Sequence, residues 1–68
     1  MNDDQQADLD LDLVLARAAE IWAPQVIQDW LVGANSYLGG ARPIDVLRLR
    51  GPVEVLAALE AARAGVIG

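Results

Sequence analysis

Three prolines constrain this chain more than any other feature, because Pro24, Pro43 and Pro52 each open an apolar segment and a glycine lies beyond the end of each segment. Proline suits the first helical position, since its fixed φ is already helical and its missing N–H would have no partner there. Glycine suits the position just past a helix, where the chain commonly turns left-handed. This punctuation predicts one helix from about Pro24 to Val32 with Gly33 ending it, another from Pro43 to Leu49 with Gly51 past its end, and a last one from Pro52 to Ala64 with Gly65 as its stop. The last two share a local pattern, Arg42-Pro43-Ile44-Asp45-Val46-Leu47 against Gly51-Pro52-Val53-Glu54-Val55-Leu56, with an acid near the third helical position where the helix dipole favours it. So short a pattern is shared capping logic, not a repeat architecture.

The first helix is less sharply marked. The alternation Asp8-Leu9-Asp10-Leu11-Asp12-Leu13 fits a short two-faced strand or a helix entry with surplus carboxylates. No partner strand is evident, so a helix is expected from Asp10 or Asp12 as cap to about Trp22, with Val14, Ala18, Ile21 and Trp22 on its buried stripe. Residues 1–9 are then expected to be a flexible acidic tail ahead of a helical domain at 10–68. The D-x-D-x-D spacing resembles the opening of a calcium loop. Leu13 stands where that loop needs its turn glycine, however, and Ala19 where it needs a bidentate Glu, so the calcium reading fails. The expected fold is all-α: a small bundle of about four short helices.

Charge is placed unevenly. Asp3, Asp4, Asp8, Asp10 and Asp12 carry five negative charges without a compensating base, while from Leu13 onward five acids (Glu20, Asp29, Asp45, Glu54, Glu60) meet five arginines (Arg17, Arg42, Arg48, Arg50, Arg63). The net charge of −5 therefore resides in the first twelve residues. Such a segment keeps a neutral, apolar domain solvated, or it docks on a basic partner surface. Direct nucleic-acid binding is not expected, because phosphate contact depends on clustered Lys and Arg and this chain has no Lys and a negative balance.

Residue chemistry excludes most enzyme classes. Without His, Cys or Lys the chain has no usual general base, thiol nucleophile, imine-forming amine or soft metal ligand. Ser36 has nothing to activate it, and its place between Asn35 and Tyr37 is one a turn would use. The expectation is a non-enzyme without cofactor or metal. At 68 residues the chain is at most one small domain, and a domain near that size buries only about 60% of its unfolded surface. No disulfide or zinc site can reinforce it, so helix packing, self-association or a partner must. Apolar residues make up 54%, against roughly 45–50% in ordinary chains, which favours an interaction module. The acidic N-terminus is unlike a signal peptide and no apolar run approaches the roughly 18 residues of a membrane span, so the default address is cytoplasmic and no membrane partner is expected.

Between the second and third helices runs Gly33-Ala34-Asn35-Ser36-Tyr37-Leu38-Gly39-Gly40-Ala41-Arg42. Asn35 can cap a short helical turn through its side-chain oxygen, Leu38 can enter the core, and Gly39-Gly40 allow backbone conformations closed to larger residues. Phosphate cradling is a poor reading of the glycine pair, because the lysine and hydroxyl of the GxxxxGK[ST] loop are missing and no strand precedes it.

The ordered string Trp30-Leu31, Asn35, Leu38-Gly39-Gly40, Arg42-Pro43-Ile44-Asp45-Val46-Leu47, Gly51, Val55, Leu59 and Gly65 resembles the toxin-binding domain of the Xre/MbcA/ParS antitoxin family, over roughly Leu13 to Gly68. The resemblance implies a type II antitoxin whose helical domain binds a RES-domain toxin, an enzyme that degrades NAD or transfers its ADP-ribose to a protein. Family members inhibit by placing the C-terminal part of this domain at the toxin's NAD pocket. Carried onto this chain, Arg63, Gly65, Val66, Ile67 and Gly68 would lie nearest that pocket and Arg42 would be a further partner contact. Trp30, Leu31, Asn35, Leu38, Gly39, Gly40, Pro43, Asp45 and Gly51 would form the structural motif. Many members also begin with a helix-turn-helix DNA-binding domain, for which this sequence has no room. The rival reading is a self-associating helical adaptor, a homodimer without a toxin partner.

Overall fold

The computed structural model describes residues 2–65, and at 2–4 only the backbone. The described residues form four α-helices in the order α1 (Asn2–Ala18), α2 (Pro24–Val32), α3 (Pro43–Arg50) and α4 (Val53–Arg63), with a 3-10 turn at Ser36–Leu38 between α2 and α3. No strand occurs among the described residues. The all-α bundle expected from the proline and glycine punctuation is the architecture observed.

Each helix gives the core a pair of side chains: Val14 and Ala18 from α1, Ile27 and Leu31 from α2, Val46 and Leu47 from α3, Val55 and Leu59 from α4. Three of these pairs are spaced four apart, which places both members on one face of their helix. The third helix is central and packs against α1, α2 and α4, while α4 also receives the 3-10 turn. Val14, Val55 and Leu59 are fully buried, and each such side chain contributes about 1.5–3 kcal/mol by leaving water. Ala58 and Ala61 lie buried on α4 as well; their small side chains let neighbouring helices approach it closely.

The starts of α2 and α3 follow the sequence closely. Ala23 and Arg42 hold extended backbone (ψ 157° and 135°) ahead of Pro24 and Pro43, as a residue before proline prefers. The last helix begins one residue later than expected: Pro52 is its cap rather than its first residue, and its carbonyl accepts the Leu56 N–H at 2.8 Å.

The first helix departs from expectation at both ends. It begins at Asn2 instead of near Asp10 or Asp12, so residues 2–9 of the segment expected to be a flexible tail are helical and continuous with the rest of α1. Gln6 Nε2 donates to Asp10 Oδ1 at 2.9 Å across one turn of it. At its other end α1 stops at Ala18, four residues before the expected Trp22. The chain turns there, with the Ile21 and Trp22 N–H groups both donating to the Ala18 carbonyl at 3.0 and 2.9 Å. Reversing direction toward Pro24 requires this turn. Val14 and Ala18 are buried as expected, whereas Ile21 and Trp22 leave the helix and pack half-buried against the core.

Candidate functional site

The stretch from Gly33 to Arg42 is organised by Asn35. Its Oδ1 accepts the Tyr37 N–H at 3.0 Å and caps the 3-10 turn. Its backbone carbonyl accepts from Leu38 (3.0 Å) and Gly40 (2.8 Å), and its own N–H donates to Ala41 at 3.0 Å, closing the loop on itself. Asn35 is only 7% exposed, so these partners matter: a buried amide without them costs about 1–3 kcal/mol. Gly39 and Gly40 leave the turn with φ of 70° and 91°. An added Cβ would meet nothing within 4 Å at either position, so backbone conformation, and not space, demands glycine there. Leu38 packs half-buried against the core and Pro43 is fully buried at the start of α3.

Other motif residues lie in the packing and at the helix ends. Leu31 is a core side chain at 7% exposure, and Trp30 is half-buried with its ring 5.7 Å from that of Trp22 at a 48° tilt. Such tilted pairs are favoured by the aromatic quadrupole. Gly51 ends α3 by donating its N–H to the Leu47 carbonyl at 2.9 Å.

Two arginines of the expected partner-binding set lie on the surface. Arg42 grips Asp45 in a two-pronged pair, Nε to Oδ2 at 2.8 Å and Nη2 to Oδ1 at 3.1 Å. These hydrogen bonds hold the Asp45 carboxyl below its ordinary range and raise the Arg42 guanidinium. Arg63, near the end of α4, pairs through Nη1 with Glu20 at 3.3 Å and with Glu60 at 3.8 Å. The Glu20 pairing joins the turn after α1 to α4 across 43 residues, a contact that no local spacing predicts. Gly65 follows with φ of 75°, and Val66, Ile67 and Gly68 lie outside the described residues.

Several apolar side chains face solvent. Leu49 and Val53 flank the α3–α4 junction at 83% and 76% exposure, and Leu9 and Leu13 stand on α1 at 61% and 41%. An open cleft of about 360 Å³ separates Gln6, Ala7 and Asp10 on α1 from Leu47, Arg48 and Leu49 on α3. Among the described residues no set of three or more acidic side chains is arranged to hold a metal ion, and no helix is long and apolar enough to cross a membrane. The chain matches no family model, no curated protein and no solved structure.

Proposed function

We infer that this chain is the antitoxin of a type II toxin–antitoxin pair and that it neutralises a RES-domain, NAD-consuming toxin by covering its active-site mouth. The observation that carries this reading is the ordered string from Trp30 to Gly65, which resembles that antitoxin domain in sequence; in this chain the string forms a capped Asn35 turn, a left-handed Gly39-Gly40 pair and a proline-opened α3. The chain itself performs no chemistry in this reading, in keeping with a residue set that lacks His, Cys and Lys. Inhibition is stoichiometric occlusion by α4 and the residues after it, with Arg42 and Arg63 orienting on acidic groups of the toxin. Both arginines are already held in place by carboxylates on the bundle surface, which lowers the entropy lost on docking. The action is placed in the cytoplasm, beside the NAD pool that such a toxin would consume.

The test is cellular NAD in a host expressing the RES-domain toxin encoded beside this gene, with and without the 68-residue chain. Restored NAD together with co-purification is the expected result. Unrestored NAD with soluble, folded chain present would overturn the reading. Within it, Ile67→Asp should weaken neutralisation without changing helix content, and equal potency of that variant would remove Ile67 from the contact.

The rival, a self-associating adaptor, draws on the exposed Leu49 and Val53 at the α3–α4 junction. A stable homodimer indifferent to the toxin would favour it.

A further inference from the structure

The outward face of α1 has no role in the fold and none in the reading above. Leu9 lies nine residues before the buried Ala18, two and a half turns away, so the two side chains leave the helix on opposite sides. Leu13, four residues after Leu9, shares the outward face, and Ala16 is exposed beside it. The result is a solvent-facing apolar ridge bordered by the exposed Asp8 and Asp12. Among the described residues nothing covers it. In the opening turns Gln5, Gln6, Asp8 and Leu9 are all exposed, and isolated helices shorter than about 12–15 residues are marginal in water. These turns gain least from the bundle and most from an external surface.

Charge identifies the kind of surface. The first twelve residues carry five carboxylates and no base, while the remainder is neutral. A second copy laid along this ridge would bring the uncompensated Asp8 and Asp12 that border it against their counterparts, within the roughly 8 Å over which charges interact at physiological salt. A groove with an apolar floor and Lys or Arg at its rim fits instead, the arrangement by which an amphipathic helix is commonly seated.

We propose that the Leu9–Leu13 ridge of α1 is a second docking element of the antitoxin, which lies in a basic, apolar-floored groove on the toxin away from its active site. This rests on the reading given under Proposed function. The ridge adds affinity and on-rate to the occluding contact of α4, with the leucines as anchors and the aspartates steering encounter.

The test is the dissociation constant for the RES-domain toxin encoded beside this gene, measured as a function of salt for three forms of the full chain. These are wild type, Leu9→Gln with Leu13→Gln, and Asp8→Asn with Asp12→Asn. Glutamine keeps good helix propensity, and circular dichroism checks that helix content is unchanged. The leucine pair should weaken binding about tenfold or more, as loss of buried anchors does, and the aspartate pair should flatten the salt dependence. Tight binding by wild type and by the leucine variant alike would overturn the ridge and leave the antitoxin reading standing. No binding by wild type would overturn both. A dimer of the free chain that the leucine variant dissolves would overturn the proposal in favour of self-association.

Discussion

The turn from Asn35 to Arg42 and the opening turns of α1 are opposites in construction. In the turn, one buried side chain caps a 3-10 segment while its backbone makes three further hydrogen bonds, and two glycines take conformations that other residues avoid. In α1 the outward side chains meet solvent, and the local support among described side chains is the Gln6–Asp10 hydrogen bond. The turn is determined several times over and the ridge hardly at all. Residues in the first region therefore report on folding when changed, and residues in the second report on binding. A motif residue is not for that reason a contact residue: the most distinctive string in this sequence is largely spent on making α2, α3 and α4 meet.

The comparison breaks most readily in the core that the turn supports. Leu59→Ala removes a fully buried side chain from α4, at a cost of about 2–5 kcal/mol. A core of this size rarely supplies more than about 3–5 kcal/mol in total, so the variant should lose its cooperative melt by circular dichroism. An unchanged melt would mean that Leu59 is not part of the packed core. Asn35→Ala comes next, with a loss of about 1–2 kcal/mol for the cap. Asn35→Ser keeps an acceptor and should recover much of that difference. Equal melts for the two variants would show that the cap contributes little beyond the backbone bonds. Gly40→Ala should cost about 1 kcal/mol from its positive φ alone, since the space for a Cβ is open.

Much of the first region was legible in sequence because its causes are local. Pro24 and Pro43 fix a φ, Asn35 reaches two residues ahead, and Gly39-Gly40 follow at once, so the elements from α2 through α3 emerge nearly where punctuation places them. The first helix was less legible because Asp-Leu alternation satisfies two periodicities, and nothing local states whether surplus carboxylates lie ahead of a helix or within it. The Arg63–Glu20 pair was hidden for another reason: it depends on how α4 lies against the end of α1, and sequence separation carries no trace of that. The exposure of Leu49 was less plain, since it lies only two residues after the buried Leu47, and the rotation of α3 carries it to the arginine face between Arg48 and Arg50.

On the other side of the comparison, Leu9→Gln with Leu13→Gln should alter the melt by no more than about 0.5 kcal/mol, as surface substitutions do. A larger loss would mean that the ridge supports the bundle, and the contrast between the two regions would weaken.

The smallest effect belongs to the edge of the turn, where Arg42 and Asp45 pair on the surface at side-chain exposures of 53% and 41%. The hydrogen bonds from Arg42 hold the Asp45 carboxyl below its ordinary value of 3.8. A carboxyl whose folded value is lowered stabilises the native state above its unfolded value, and that contribution disappears as pH falls through the folded one. The stability of the wild-type chain relative to Asp45→Asn should therefore be greatest above about pH 4 and should decline in more acidic solution. High salt should shrink the difference, because the pair is exposed. A difference between the two chains that stays constant from neutral pH into strong acid would mean that Asp45 acts through the first-turn geometry of α3 and not through its charge. The edge of the turn would then owe little to the charge on Asp45.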